Sequence, residues 1–263
     1  MTARYSAMFD RLRQRGEGAF GAFVMLGDPD LETSARILDL LVEAGADMLE
    51  VGIPFSDPVA DGPTIQAAAE RALRQGVTPP DCFRLLASFR EQHADVPIGI
   101  LTYANIVLAP GRTAFYRAAA QAGVDSVLVA DVPSVEAAPF VESAIEAGVA
   151  PVLIAAANTP RAPLERVARM GRAYTYCVAR TGVTGTERAM ELDHAALFAA
   201  LSELGAPPPV LGFGISTPDH VRAALDAGAA GVISGSAIVR LIEAGDLAAV
   251  SAFVRAMKAA TGT

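Results

Sequence analysis

The chain has 263 residues, of which 52% are hydrophobic and 19% are charged, and its formal net charge at pH 7 is -8. This length and composition are those of a folded protein with one large domain or two small ones, and they exclude a disordered chain. The negative charge argues against nucleic acid or an anionic membrane as a partner, because both bind positively charged surfaces.

The first element that the sequence predicts is an amphipathic helix. Tyr5, Met8, Phe9 and Leu12 repeat at helical spacing among charged residues, and Gly16 is expected to end the helix. After it, short apolar runs alternate with helical patterns along the rest of the chain. Eight of these runs are predicted strands, at residues 19–26, 47–52, 97–102, 125–130, 149–154, 174–178, 210–213 and 231–234.

The connections between these strands indicate their arrangement. Several helical patterns end on Ala-Gly directly before a strand, where glycine suits a helix C-cap. Alternating strands and helices with short connections predict a parallel sheet, and eight such units predict one closed α/β domain, a (β/α)8 TIM barrel over residues 1–263. A doubly wound open sheet is the alternative. Additional helices are predicted at the N-terminus, after strand two at about 81–92, and after strand eight at about 247–260.

Cysteine usage and the first residues of the chain indicate the compartment. Cys82 and Cys177 form no CxxC pair, which fits a reducing environment. The N-terminal segment lacks the apolar region and cleavage site of a secretory signal, and no apolar run has the length of a membrane span. The sequence therefore predicts a cytoplasmic protein.

Polar insertions follow strands two and six, at residues 53–63 and 181–188. In a barrel, the carboxyl ends of the strands carry the chemistry, so both insertions are candidate lids. Glycine-rich turns follow strands seven and eight, at 212–216 and 234–237. Each turn alone could be a simple tight connection, but together they predict a phosphate site, since backbone N–H groups and a helix N-terminus attract an anion without any lysine.

Acidic residues at the end of strand two are the candidate acid and base. Strand alternation points Glu50 into the barrel, where loss of water should raise the pKa of its carboxyl group. An ion pair with a nearby arginine is the alternative. Asp57 and Asp61 lie in the following loop and could equally be solvated or turn-forming residues. Asp131, after strand four, is left unassigned.

The shortage of lysine and of suitably spaced histidine limits the catalytic chemistry that the chain could perform. The only lysine, Lys258, lies in the last predicted helix, which argues against a Schiff base, and the three histidines share no metal-ligand spacing. Acid–base catalysis by carboxylates remains, with Tyr176 or Tyr103 as candidate helpers. Apolar residues could line a pocket for a flat aromatic group, although such residues are ordinarily core: Phe23, Ile65, Leu101, Tyr103, Leu128 and Phe213.

The segment 49–66 closely resembles the signature of the tryptophan synthase alpha chain family. It reads Leu-Glu-Val-Gly-Ile-Pro-Phe-Ser-Asp-Pro-Val-Ala-Asp-Gly-Pro-Thr-Ile-Gln. The similarity covers essentially the whole chain, and it continues at 26–29, 103–105, 130–133, 181–185, 212–216 and 233–239. The chain departs from the family pattern at 155–159, where a Pro pair is common, and at Thr181, which is commonly Ala.

This resemblance implies cleavage of indole-3-glycerol phosphate to indole and glyceraldehyde 3-phosphate, by retro-aldol chemistry without a cofactor or a metal. It gives Glu50 the proton transfers at the indole carbon and the glycerol hydroxyl, and Asp61 the indole N–H. Tyr176 and Thr184 become supporting residues. The amides expected to hold the phosphate are those of Gly185, Gly214, Gly235 and Ser236.

The resemblance also implies a partner. Members of the family work with a beta chain that carries pyridoxal phosphate, so an alpha2-beta2 heterotetramer is expected, docked through the loops after strands two and six. Two other functions stay open, a non-catalytic subunit that binds a phosphorylated ligand and activates a partner, and a stand-alone indole-releasing lyase. Other phosphate-binding barrels, such as indole-glycerol-phosphate synthase, are disfavoured because their strand-end lysines or metal ligands are missing.

Overall fold

The structure, a computed structural model, describes residues 2–178 and 191–262 and places eight parallel strands in one closed barrel, in the order β1 to β8. The strands are β1 (Ala19–Met25), β2 (Met48–Gly52), β3 (Ile98–Thr102), β4 (Ser126–Val129), β5 (Ala150–Ala156), β6 (Thr175–Val178), β7 (Pro209–Leu211) and β8 (Gly231–Ser234). Closure is made between β8 and β1, where Ala19 aligns with Gly231. The predicted (β/α)8 barrel is confirmed, and the open sheet is excluded.

Helices surround the barrel in the described residues. They are α1 (Ala3–Arg15), α2 (Leu31–Glu43), α3 (Pro63–Arg74), α4 (Pro79–Gln92), α5 (Ala104–Leu108), α6 (Arg112–Gln121), α7 (Ala138–Glu146), α8 (Arg161–Met170), α9 (Glu191–Glu203), α10 (Pro218–Asp226), α11 (Ser236–Glu243) and α12 (Leu247–Ala259). An additional helix is present at the N-terminus, as predicted, and two helices instead of one follow each of strands two and eight. Within the described ranges, no helix is both long and apolar enough to cross a membrane.

The strands are almost entirely buried, because ring helices cover their outer face and side chains fill the interior. Their bounds match the predicted runs to within two residues. The largest differences are at β5, which ends at Ala156 rather than at residue 154, and at β7, which ends at Leu211 rather than at residue 213. The amide of Gly212 still donates to the carbonyl of Cys177 at 3.0 Å, but Gly214 has a φ of +79°. That left-handed conformation turns the chain away from the sheet.

Helix α1 closes the amino-terminal end of the barrel, which is the end where the strands begin. Its Tyr5 is fully buried, and the Tyr5 and Ser126 hydroxyl oxygens are 3.0 Å apart. The Tyr5 ring lies 5.6 Å from the ring of Tyr174, between centroids. A Cβ on Gly99 would lie 3.1 Å from the Tyr5 hydroxyl, so glycine at this position leaves room for the tyrosine inside the barrel.

Charged side chains at the amino-terminal end of the barrel form ion pairs that stabilise the fold. Lys258 lies 2.8 Å from a Glu17 carboxylate oxygen and 3.0 Å from one of Asp47, which removes it from the carboxyl face as expected. Asp125, with its side chain 2% exposed, accepts hydrogen bonds from Arg90 at 2.9 Å and from the Ile98 amide at 3.0 Å. These bonds join the segments that precede β3 and β4.

Asp125→Ala is expected to lower the free energy of unfolding by about 3 kcal/mol, because it leaves the mostly buried Arg90 guanidinium without its counter-charge. Urea unfolding measures the change. The matched control is Asp10→Ala, which breaks an exposed pair with Arg13 and should cost less than about 0.5 kcal/mol. Equal losses in the two variants would contradict a stabilising role for the Asp125 pair.

Candidate active site

Glu50 lies on β2 with its side chain inside the barrel, and it is 2% exposed. The Tyr174 hydroxyl donates to its Oε1 at 2.8 Å, whereas Oε2 has no hydrogen-bond partner in the described part of the chain. Burial raises the pKa of Glu50 to about 8, the Tyr174 hydrogen bond opposes that rise, and the charge of Asp61 adds to it. A carboxyl group with this pKa exchanges protons near neutral pH, as a general acid or base must.

The alternative role for Glu50, an ion pair with an arginine, is not found among the described residues, where its side chain hydrogen-bonds Tyr174. Tyr174 was not predicted as a partner of Glu50. Tyr174 immediately precedes β6 and Tyr176 lies within it, so a period of two along this strand places both side chains on the inner face. That spacing is the signal by which Tyr174 could have been found.

Asp61 lies in the loop between β2 and α3, where Tyr103 holds it. The Tyr103 hydroxyl accepts a hydrogen bond from the Ala60 amide at 3.3 Å, which ties the loop beside Asp61 to the end of β3. Burial raises the pKa of Asp61, and the nearby Tyr103 hydroxyl opposes the rise. The Phe55 ring packs on Tyr103 at 5.3 Å between centroids. Tyr103, predicted to line the pocket, therefore also holds the loop that carries the second carboxylate.

Tyr176 spans from β6 to β7. Its hydroxyl donates to the carbonyl of Gly212 at 2.9 Å, and a Cβ on Gly212 would lie 2.1 Å from the tyrosine ring, so only glycine fits there. The pKa of Tyr176 is raised, first by burial and then by the charges of Glu50 and Asp61. This electrostatic coupling indicates that the two carboxylates and Tyr176 share one site.

The structure brings together the glycine-rich turns after β7 and β8. The Ser234 hydroxyl donates to the Ile215 carbonyl at 2.7 Å, which ties one turn to the other. Gly235 is the N-cap of α11 and Ser236 is its first, exposed residue, so helix-terminal amides face this corner. Gly214 supplies the left-handed turn noted above. Thr184 and Gly185 lie outside the described residues.

Most of the predicted pocket residues are buried near these groups. Phe23 aligns with Glu50 across β1 and β2, and a Cβ on Gly235 would lie 3.2 Å from its ring. Ile65 and Leu128 are buried, and Leu101 is half-buried. Phe213 differs, because it is 59% exposed on the loop after β7. Within the described ranges, no group of three or more His, Cys, Asp or Glu side chains could hold a metal ion.

Glu50→Gln is expected to change how stability depends on pH. The pKa of Glu50 is raised in the folded state, so folding is favoured at pH below its ordinary value of 4.5 and progressively disfavoured as the pH rises through about 8. Glutamine cannot ionise, and the loss of unfolding free energy between pH 5 and pH 8 should shrink by a few kcal/mol. Urea unfolding at both pH values measures it.

The control for this experiment is Glu70→Gln, which alters an exposed glutamate paired with Arg74. It should leave the pH dependence unchanged, because a solvated carboxylate has nearly the same surroundings in the folded and unfolded states. If Glu50→Gln had the same pH dependence as the native chain, the raised pKa would be wrong.

A family model described as "Tryptophan synthase alpha chain" matches residues 9–261. The tryptophan synthase alpha chains of Escherichia coli strain SMS-3-5 and of Escherichia fergusonii are 55% and 54% identical to the chain, each over 266 aligned residues that cover 98% of both proteins.

Solved structures give the same result for the fold. Tryptophan synthase subunit alpha from Legionella pneumophila str. Paris superposes with a TM-score of 0.89 at 26% identity, covering 99% of both chains. A tryptophan synthase structure from Mycobacterium tuberculosis has a TM-score of 0.90 at 28% identity, covering 100% of both chains.

Proposed function

The chain belongs to the tryptophan synthase alpha chain family, and from that premise we propose the roles that its residues take in a lyase that cleaves indole-3-glycerol phosphate. The observation that carries the proposal is the buried Glu50, which has a pKa of about 8 and one carboxylate oxygen that no described residue hydrogen-bonds. Asp61 and the paired turns after β7 and β8 lie at the same end of the barrel. Together they provide one group for each part of this substrate: Glu50 for the carbon–carbon bond, Asp61 for the ring nitrogen and the turns for the phosphate.

Glu50 moves the protons of the carbon–carbon cleavage. In its neutral form, which the raised pKa favours at pH 7, it donates a proton to C3 of the indole ring. The carboxylate that remains takes the proton of the hydroxyl on the adjoining glycerol carbon. The bond between that carbon and C3 then breaks, an aldehyde forms, and the bonding electrons return to the ring. Glu50 ends neutral, as it began.

Asp61 handles the ring nitrogen. Protonation at C3 leaves positive charge on the indole nitrogen, and a carboxylate that accepts its N–H stabilises that charge until the aromatic ring is restored. Tyr103 holds the loop that carries this carboxylate. We propose that no metal or organic cofactor takes part, because atoms and electrons balance with the ring as the only electron acceptor. Pyridoxal phosphate is assigned to the partner beta chain.

The phosphate is held by the backbone. The amides of Gly214, Gly235 and Ser236 lie in the two joined turns, and the N-terminus of α11 adds its positive end. Gly185 would add an amide and Thr184 a hydroxyl on the loop after β6, as the family resemblance implies. The pocket residues between the turns and the carboxylates would hold the indole ring.

The chain, as a tryptophan synthase alpha chain, has a beta chain as its partner, and we propose that this partner docks on the carboxyl face. Among the described residues, six large hydrophobic side chains are exposed, and four of them lie in segments that follow strands: Val59, Leu108, Val135 and Phe213. Exposed apolar side chains gathered at one end of a molecule mark an interaction surface. We propose docking through the loops after strands two and six within an alpha2-beta2 heterotetramer.

We also place this biosynthetic enzyme in the cytoplasm. Cys82 and Cys177 are both free and buried, as thiols in a reducing compartment commonly are.

Glu50→Gln should lower the rate of indole release by about a hundredfold or more, because the amide keeps the shape of the side chain but cannot transfer protons. Binding of glycerol 3-phosphate should stay within about twofold, since the phosphate turns are untouched. Indole release by the purified chain, with EDTA and without pyridoxal phosphate, measures the rate. Full activity in this variant would contradict the role of Glu50, and no release by the native chain would favour a non-catalytic subunit.

Val135→Asp should weaken binding of the beta chain from the same organism about tenfold, because it places a charge in the proposed interface. Ile145→Asp is the control, since Ile145 is 47% exposed in the last turn of α7 and outside the proposed interface. Calorimetric titration of each variant with the beta chain gives the dissociation constants. Equal weakening by both substitutions would exclude docking at the carboxyl face.

A further inference from the structure

Helices α3 and α11 are insertions in the barrel pattern. The ring helices that follow β2 and β8 are α4 and α12, because α4 packs between α2 and α6 and α12 packs between α10 and α2. Helices α3 and α11 come before them in the chain and pack against each other and against β1. Each begins at a part of the proposed site, α3 two residues after Asp61 and α11 directly after Gly235.

A single side chain joins the far ends of these two helices. Arg71, in the last turn of α3, places its Nη1 2.8 Å from Oε1 of Glu243, the last residue of α11. The same guanidinium binds both carboxylate oxygens of Asp28, with Nε at 2.7 Å and Nη2 at 2.8 Å. Arg71 therefore connects α3, α11 and the loop after β1 through three charge-assisted hydrogen bonds, which are stronger than neutral ones.

The loop after β1 is a firm anchor for this connection. The Asp28 side chain is only 2% exposed, and its amide donates to the Met25 carbonyl at 3.3 Å. Gly27 has a φ of +79°, and a Cβ there would lie 2.6 Å from the side chain of Val77, just beyond α3. The segment that leaves α3 is therefore packed closely against the loop. Strand β1 also carries Phe23, beside both Glu50 and Gly235.

We propose that Arg71 is a positioning residue that fixes the distance between the carboxylate end of the site and its phosphate end. This inference rests on the proposed function, because it takes the substrate to be a ring and a phosphate joined by a short chain. Such a ligand binds well only when the two subsites lie at the separation that the chain can span. Loosening the connection should leave each subsite intact and weaken only ligands that occupy both.

Three probes separate these contributions. Indole-3-propanol phosphate carries ring and phosphate on one chain, glycerol 3-phosphate carries the phosphate alone, and indole carries the ring alone. Dissociation constants are measured by calorimetry for the native chain and for two variants. Glu243→Gln removes the charge from the link to α11 at a half-exposed residue and leaves only a neutral acceptor, whereas Arg71→Lys keeps the charge but loses the two-pronged contact with Asp28.

Arg74→Lys is the matched control. Arg74 lies three residues further along α3, and its one ion pair with a described residue is with the exposed Glu70 on its own helix. We expect Glu243→Gln to weaken the two-ended probe about threefold and Arg71→Lys about tenfold, with kcat/KM for indole-3-glycerol phosphate falling by similar factors. The two single-ended probes should change by less than about twofold, and Arg74→Lys should change no probe.

Two results would overturn the inference. One is weakening of glycerol 3-phosphate or indole as large as that of the two-ended probe, which a general loss of structure would produce. The other is unchanged binding of all three probes in Glu243→Gln and Arg71→Lys. Failure of the native chain to bind the two-ended probe would instead contradict the proposed function itself, so the two failures are distinguishable.

Discussion

A carboxyl group enclosed in a parallel barrel without a cationic partner is costly in its charged form, because neither water nor an opposite charge offsets the loss of hydration. Within residues 2–178 and 191–262, Glu50 is in that position, and much of the surrounding structure maintains it. Helix α1 closes the barrel below it and inserts Tyr5, which packs on Tyr174. Gly99 leaves room for these rings, and Tyr174 holds one carboxylate oxygen. The pKa near neutrality is thus a property of the packed interior.

Three basic side chains, Lys258, Arg90 and Arg71, are paired with carboxylates other than Glu50. At the amino-terminal end, Lys258 and Arg90 are bound to carboxylates that join the starts of strands. At the other end, Arg71 is held by Asp28 and Glu243. None of these three cations faces Glu50, so none lowers its pKa. The phosphate-binding task falls to backbone amides, which attract an anion through fixed dipoles and add no formal charge beside the two acidic groups.

Some residues of the proposed site lie on strands of the barrel, and others lie on the connections that follow the strands. Glu50 and Tyr176 lie on strands, whose positions are set by the closed ladder of hydrogen bonds. Asp61 and the phosphate turns lie on connections, and each connection is fixed by a side chain from elsewhere, Tyr103 in one case and Ser234 in the other. A loop residue can then be placed as accurately as a strand residue, because a hydrogen bond to the frame replaces the sheet ladder.

Local patterns in the sequence were enough to predict the barrel, the eight strands to within a few residues, the inward direction of Glu50 and the order of the two glycine-rich turns. These features follow from alternation, helical spacing and glycine conformation, which are local properties of the chain. The signature segment was specific enough to indicate the family.

The contacts between distant residues could not be predicted in this way, because they depend on the folded structure. Tyr174 and Glu50 are 124 positions apart, and Arg71 and Glu243 are 172 apart. Such contacts exist only after the barrel closes, because closure brings distant strands and inserted helices together. The exposure of Phe213 and the hydrogen bond from the Ala60 amide to Tyr103 likewise depend on where the folded loops lie and not on residue type.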